Sequence, residues 1–578
     1  MNINLKKHHS ELLFTPLGGA GEIGMNVNMY HLNGKWLMVD LGLGFAHDVP
    51  GIDMLAPDIT FARDQKKNIV GLILTHIHED HLGAVQYLWQ ELGITIYTSN
   101  FTAKFLRSKL EEFPFAREVK IVIIDPSKEL DLDPFKIEFI GLTHSVPEMN
   151  ALMIKTNHGN ILHSGDWKFD PDPVIGNISE KEKIKSYGDR GDILALICDS
   201  TNALSPGRSR SEGDLYESLR EIVGKCEHMV GITTFASNIA RVNTIARVAK
   251  ACGRKVVLAG FSLHRIVEVA KRSGYFEGFD NIISDRELKN YSKNEILVLA
   301  TGCQGEPMAS ARKIANDANP TIRFAAGDTM IFSSKIIPGN EKAIFSLFND
   351  FARRKITVIT EKDHFVHVSG HPNQDELREM YDLAKPQIAV PVHGEFVHIQ
   401  SHCALAKEMG VKKVITVENG SVVRLSKTDS EIIGVVQTGY LGVDGRQLVP
   451  INGEIIKTRK KLEHSGIVIV NAVIDSRDGN IIGDTVILAP GAYDFKDDRD
   501  TLNAIKREVN LKIRTSLKEA GIGKKGLKDK LFSKKQKKNA NLDKIEATLE
   551  KTVKTYISKV INELIGKKPL VEVIIRLI

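Results

Sequence analysis

The sequence predicts a multidomain α/β protein, and three observations lead there. Its 578 residues exceed what one hydrophobic core holds, since domains usually run to about 100–200 residues. Short strand patterns alternate with helical ones along most of the chain. The texture of that alternation changes near residues 207 and 364 and again near 451. A hydrophobic share of 42% with 26% charged residues is that of a globular protein and excludes wholesale disorder. No apolar run approaches the roughly 18–20 residues that cross a bilayer. The stretch from Met1 to Ser10 is polar, carries Lys6 and Lys7, and has no apolar core of a signal peptide. A cytoplasmic location without membrane attachment is expected.

The elements follow in order. Leu12 to Phe14, Trp36 to Val39, Ile69 to Leu74 and Ile94 to Tyr97 read as strands bounded by Gly, Asn and Asp, with a helical pattern over Leu82 to Leu92. Between about Gly207 and Thr360, strands and helices alternate as in a doubly wound parallel unit. Val230 to Phe235, Lys255 to Leu258, Ile296 to Ala300 and Thr329 to Phe332 are its strands, and Ile239 to Ala251 one of its helices. A strand pattern returns between His364 and Val449, where Ile388-Ala389-Val390 leads into Pro391-Val392-His393. Beyond Ile451 a small α+β appendage is predicted, with strands at Ile467 to Val470 and Val571 to Ile578. Its lysine-rich segment, from Lys524 to Lys538, reads first as a solvated face and second as a nonspecific phosphate-binding arm.

Basic residues exceed acidic ones by 78 to 72, a net charge of +6 that is compatible with a polyanionic partner without requiring one. Cys198, Cys226, Cys252, Cys303 and Cys403 are scattered, which argues against a disulfide framework and against a cysteine zinc site. Gly19-Ala20-Gly21-Glu22-Ile23-Gly24 matches a dinucleotide-binding fingerprint, but that reading needs a helix to begin there. The residues that follow alternate like a hairpin, so a tight glycine turn between strands is predicted instead.

Chemistry concentrates in His76-Ile77-His78-Glu79-Asp80-His81, five ligand-type side chains in six residues at a strand-to-helix turn. Imidazole nitrogens and carboxylate oxygens suit zinc or a similar cation. The spacing is not that of H-E-x-x-H on one helix face, so a zincin protease is disfavoured. Later candidates come singly: His144 in Gly141 to Ser145, Asp166 in His163-Ser164-Gly165-Asp166, and His393 in Pro391 to Glu395.

This pattern resembles the metallo-β-lactamase superfamily, and the 227 residues from Asp166 to His393 resemble the inserted domain of its β-CASP subgroup, which acts on nucleic acids. Ile197 to Thr201 with Asp199, His371 closing His367-Val368-Ser369-Gly370-His371, and His393 resemble the three β-CASP hallmarks. Gly18 to Gly24, Thr301 to Pro307, Gly327-Asp328-Thr329, Ile337 to Glu341 and Pro391 to Glu395 are further similar to the ribonuclease J family. Cys303, where a serine is common, and the lysine-rich insert depart from it. The resemblance implies a metallo-β-lactamase αββα sandwich (residues 1–206 and 363–450), a β-CASP insert (207–362), a linker (451–463) and a C-terminal α+β domain (464–578).

It also implies a ribonuclease with 5′-to-3′ exonuclease and endonuclease activity in RNA maturation and decay. His76, His78 and His144 would hold one metal, Asp80, His81 and His393 the other, and Asp166 would bridge them. Zinc fits the nitrogen-rich set, with manganese or magnesium as alternatives for turnover. Asp80 would also orient the attacking water, while Asp199 and His371 would serve proton transfer or ligand orientation. His367, Val368, Ser369, Gly370 and His371 would contact RNA, including a 5′-monophosphate. Ser237 would either join them or cap the following helix. Asp53 with Asp444 resembles a structural calcium (Ca2+) site. Expected partners are single-stranded RNA, further copies in a homodimer or homotetramer, and other RNA-decay or ribosome-associated proteins. A DNA-directed β-CASP nuclease and a noncatalytic RNA-binding scaffold are the rival readings.

Overall fold

A computed structural model describes residues 3–46, 48–337, 339–520 and 535–578, with side chains in the last stretch from 542 onward. The side chains of the lysine-rich segment and Pro338 thus lie outside the described residues. Internal contacts divide the chain into two compact units, Met1–His47 with Met54–Leu448, and Asp48–Asp53 with Val449–Ile578.

In the larger unit, two mixed sheets are buried on both faces, and their strands therefore read as near-continuous apolar runs. One sheet has eight strands, with Leu13–Gly18, Val27–Leu32, Lys35–Val39 and Ile69–Leu74 at its centre. The other has seven, with Phe135–Gly141, Asn150–Lys155, Asn160–His163, Ile193–Asp199 and Ile388–Val392 in order. Leu152 and Ile154 face Phe14, Tyr30 and Val39 in the core between the sheets. Their neighbours Ala151 and Met153 point the other way, onto helices Lys181–Asp189, Gln374–Ala384 and Phe396–Glu408. Helices Val85–Leu92 and Asn100–Leu110 cover the outer face of the first sheet. The layers run helix, sheet, sheet, helix.

A third sheet of six strands is parallel throughout, in the order Ile282–Ile283, Lys255–Ala259, Ile296–Ala300, Val230–Thr233, Thr329–Phe332 and Thr357–Ile359. Helices Leu215–Lys225, just before its first strand, and Ile239–Ala251, between two of its strands, pack on it through Leu219, Val223, Val242 and Ile245. The smaller unit pairs Ile467–Ile474 antiparallel to Ile481–Leu488 and parallel to Leu570–Leu577. Ile505, Val509 and Ile513, four apart on helix Arg499–Glu519, and Val553, Ile557 and Ile561, likewise four apart, cover that sheet.

Several expected elements are redrawn. The helical stretch from Leu82 is two pieces, a single turn Glu79–Leu82 and a helix Val85–Leu92. They separate because the Ala84 amide donates to Leu41 O at 3.0 Å, while the freed Asp80 carbonyl accepts from the Asn26 amide at 2.8 Å. The strand predicted to reach Phe235 ends at Thr233, and helices Gln374–Ala384 and Phe396–Glu408 lie where a strand pattern alone was read. The glycine segment joins strands as predicted, with Val27–Leu32 and Lys35–Val39 forming the hairpin. Among the described residues no helix is long and apolar enough to cross a membrane.

Candidate metal centre

Ligand-type side chains leave the carboxyl ends of neighbouring strands, the usual address of sites in α/β sheets. Asn160–His163, Ile193–Asp199 and Ile388–Val392 run parallel in register, so Asp166, Asp199 and His393 emerge together. His76 follows Ile69–Leu74 of the facing sheet, and His144 follows Phe135–Gly141.

Three adjoining groups result, the ligand atoms of each lying within 4.8 Å of one another: His76, His78, His144 and Asp166; Asp80, His81, Asp166 and His393; and Asp166, Asp199, His371 and His393. Asp166 is common to all. Its Oδ2 lies 3.1 Å from His81 Nε2, 3.8 Å from His76 Nε2 and 4.0 Å from His144 Nε2, and its Oδ1 lies 3.1 Å from His393 Nδ1. His393 Nε2 is 3.2 Å from Asp80 Oδ2. Glu79, the fifth ligand type of the motif, takes no part, because the buried Lys109 ammonium holds its carboxylate, 2.6 Å from Oε2.

Neighbouring residues fix which nitrogen of each ring carries a proton. Asp40 Oδ1 accepts the Thr75 amide at 2.8 Å, and Oδ2 accepts the Thr75 hydroxyl at 2.9 Å and His81 Nδ1–H at 2.7 Å. With its hydrogen given to Asp40, Thr75 Oγ1 accepts from His76 Nδ1 at 3.0 Å. His144 Nδ1 donates to the Gly370 carbonyl at 2.7 Å. His76 and His144 therefore both turn an Nε2 lone pair toward His78 Nδ1, at 3.0 and 3.1 Å. One N–H on His78 satisfies only one of them. A divalent cation is the partner that this buried donor set fits.

Electrostatics splits the cluster. Burial, reinforced by the neighbouring imidazoles, lowers the pKa of His76 and His144 well below the ordinary histidine value, and burial takes His78 down to about 4. Burial would lower His81 and His393 too, but the surrounding carboxylates, Asp166 first, raise both well above it. Burial opposes ionisation of Asp80 and Asp166, and the histidines overcome it and hold both below the usual carboxylate range. The first group is thus a set of neutral nitrogens, and the second is carboxylate-rich.

The remaining candidates sit around this core. Asp199 Oδ2 lies 2.7 Å from His371 Nδ1, and its Oδ1 accepts the Thr201 amide at 2.8 Å and hydroxyl at 2.7 Å. Against burial, Asp199 and Asp166 raise the His371 pKa. Ser369 Oγ accepts from Asn202 Nδ2 at 2.8 Å and from the His371 amide at 3.1 Å. A Cβ on Gly370 would stand 2.8 Å from His144 Cε1, so glycine lets this backbone reach the ligand ring. Val368 is buried, and its carbonyl accepts from Arg241 at 3.3 Å. His367 Nδ1 lies 3.5 Å from the same guanidinium, which is itself held bidentately by Glu212 at 2.6 and 2.9 Å.

Ser237 is half-buried and is not the helix cap, since Asn238 Oδ1 accepts the Arg241 amide at 2.9 Å. Asp53 and Asp444 fall in different compact units, and neither belongs to a ligand group among the described residues. Sequence reasoning missed Asp40, Thr75, Asn202 and Arg241. An acidic residue directly after the buried strand Lys35–Val39 was the one available signal for Asp40.

Known proteins resemble this chain along most of its length. Family models match over residues 23–186 (Metallo-beta-lactamase superfamily), 227–351 (Ribonuclease J, beta-CASP domain) and 355–417 (Zn-dependent metallo-hydrolase RNA specificity domain). Ribonuclease J of Sinorhizobium meliloti is 38% identical over 99% of either chain. The chain belongs to the ribonuclease J family. Similar too are ribonuclease J of Thermus thermophilus, 35% identical over 80% of this chain and 82% of that one, and ribonuclease J 1 of Streptococcus pyogenes, 33% identical over 89% and 92%. A crystal structure of a protein of unknown function from Enterococcus faecalis shares the fold, with a TM-score of 0.51 at 16% identity over 72% of this chain and all of that one. The fold is thus a metallo-β-lactamase domain with β-CASP and RNA-specificity domains, and the enzyme is a metal-dependent nuclease of the β-CASP group. The superfamily implies a divalent cation, and the His and Asp groups described here can hold one.

Proposed function

We propose that this chain hydrolyses RNA phosphodiesters at two adjoining metal positions, as a 5′-to-3′ exonuclease preferring 5′-monophosphate ends and as an endonuclease. The observation that carries this reading is the pair of four-donor groups sharing Asp166, with His371 and Asp199 beside them. His76, His78 and His144 would hold one cation, and Asp80, His81 and His393 the other, with Asp166 between them. Bound there, divalent cations supply Lewis acidity, which makes water nucleophilic at neutral pH and offsets charge on the phosphate.

The chain's own groups do the rest. Water oriented by Asp80 attacks phosphorus and gives up a proton to solvent, the bond from phosphorus to the 3′ oxygen breaks, and that oxygen needs a proton. His371, whose pKa the neighbouring Asp199 raises against burial, is placed to give it. Products then carry 5′-phosphate and 3′-hydroxyl ends. The 367–371 segment, through its Ser and His donors and the close backbone approach at Gly370, would with Ser237 meet phosphate oxygens and carry no sequence information, in keeping with a nuclease on single-stranded RNA. Zinc fits the nitrogen-rich set at both positions, with manganese or magnesium as alternatives for turnover. Cytoplasmic action, self-association into a dimer or tetramer, and work with other RNA-decay or ribosome-associated proteins belong to the same reading, on family likeness.

The test is body-labelled RNA bearing a 5′-monophosphate, 5′-triphosphate or 5′-hydroxyl, given to wild type and to Asp80→Ala with a matched DNA strand. Mononucleotides should appear fastest from the monophosphate RNA and vanish in the variant. Retained RNA binding without cleavage by metal-replete wild type would overturn the catalytic reading, and equal cleavage of DNA would overturn the RNA preference.

A further inference from the structure

The glycine segment Gly18–Gly24 resembles a dinucleotide motif yet holds no helix, and the reaction as derived leaves it without work. It touches both halves of the second ligand group. At one end the His393 amide donates to Gly19 O at 2.5 Å, and Ala20 and Gly21 pair with Gly394 and Glu395. His393 has a φ of +52°, a left-handed conformation that a non-glycine residue keeps only when its surroundings impose it. Two residues past its other end, Asn26 donates through its amide to Asp80 O at 2.8 Å. Residues 18–26 thus brace Asp80 and His393, two of the three residues assigned to one metal position, and among the described residues make no such contact with His76, His78 or His144.

The brace is itself pinned from a distant turn. Asn419 Oδ1 accepts the Ala20 amide at 2.9 Å, and the Asn419 amide donates to Ala20 O at 3.1 Å. Asn419 Nδ2 donates to Glu22 Oε1 at 2.5 Å, and the same oxygen accepts the Gly19 amide at 3.3 Å. Gly19 has a φ of +81°, and a Cβ there would stand 2.4 Å from Asn26 Oδ1, so the segment cannot relax toward a side-chain-bearing turn.

We infer that Asn419 and Glu22 are positioning residues for the second metal position, acting through Gly19 O on the backbone of His393. This rests on the two-metal reading above. Neither residue touches substrate or cation. Their work is to keep the Gly19 carbonyl where it holds His393 in its left-handed conformation.

The experiment is zinc stoichiometry and affinity of the full chain by equilibrium dialysis against buffered Zn2+, without substrate. Asn419→Asp keeps the size and the acceptor for Ala20 but sets a carboxylate against Glu22. It should weaken one of two zinc equivalents by at least about tenfold, the usual cost of losing an outer partner of a ligand, and leave the other unchanged. Glu22→Ala, which leaves both Ala20 contacts in place, is the milder variant and should show the same selective loss should Asn419→Asp fold poorly by thermal melting. Two equivalents at wild-type affinity in Asn419→Asp or Glu22→Ala would overturn the inference. Fewer than two equivalents in wild type would instead overturn the two-metal reading.

Discussion

Nδ1 of His371 lies 2.7 Å from Oδ2 of Asp199, and the other oxygen of that carboxylate lies 3.4 Å from His393 Nδ1. One buried acid therefore serves the histidine proposed for proton transfer and also touches the second ligand group. The shorter contact decides its main role. Asp199→Asn removes the charge that raises the His371 pKa while keeping the shape. Its kcat should fall about 10²–10⁴-fold with zinc content unchanged. His371→Ala should fall comparably, and the double variant should add little, since the two act as a unit. Single-turnover cleavage on monophosphorylated RNA checks this, and additive losses would separate the two roles.

Metal binding should stabilise the fold. The buried histidines and carboxylates face one another without enough hydrogens to satisfy every lone pair. A cation that binds only the folded chain at 100 times its dissociation constant adds about 2.7 kcal/mol. Thermal melts should rise with added Zn2+, and the rise should be largest in wild type and nearly absent in Asp166→Ala, which removes the residue common to every ligand group. An undiminished shift in that variant would remove Asp166 from the centre.

Gly370 is the one position in the 367–371 segment where a methyl group strikes a ligand ring, 2.8 Å from His144 Cε1. Gly370→Ala should push His144 off its place and lower kcat/KM about 10²-fold, the scale of a displacement near 1 Å. Ser369→Ala, whose hydroxyl bonds Asn202 and the His371 amide, should cost less. Zinc titration of the two variants separates a moved ligand from a lost substrate contact.

Acid should destabilise the protein in part through its buried histidines. His402 is buried between Ser200 Oγ and the Tyr381 hydroxyl, each at 2.9 Å, and burial takes its pKa down to about 4. The unfolded chain binds that proton near pH 6.5, so between there and pH 4 it holds more protons than the folded one. Stability is therefore full above pH 6.5 and falls as the pH drops toward 4, by at most about 3 kcal/mol from this group. His402→Gln should flatten that part of the profile in urea melts between pH 7 and 4.5. An unchanged slope would assign the acid sensitivity to other groups such as His163, also taken down to about 4 by burial.

Legibility tracked distance along the chain. The turn from His76 to His81 could be read because its donors are neighbours, and a strand-to-helix turn brings neighbours together whatever lies elsewhere. The strands Ile296–Ala300 and Thr329–Phe332 and the helix Ile239–Ala251 carry periodic apolar patterns and appear within their predicted bounds. The break at Gly83 and Ala84 had no such signal, because a bond to Leu41, more than 40 residues earlier, takes the Ala84 amide from the helix.

By itself, the sequence determined the α/β class, the family, the chemistry of the donors and the glycine turn in place of a dinucleotide site. Each of these depends on residue type and local spacing. Only the tertiary structure decided that Glu79 faces Lys109 instead of the centre, that Asp40 and Thr75 fix the ring protons, and that Gly370 supports His144 across 226 residues. Those roles come from single residues brought together by the packing of two sheets. A lone Asp, Asn or Gly carries no periodic mark of the partner that burial will assign it.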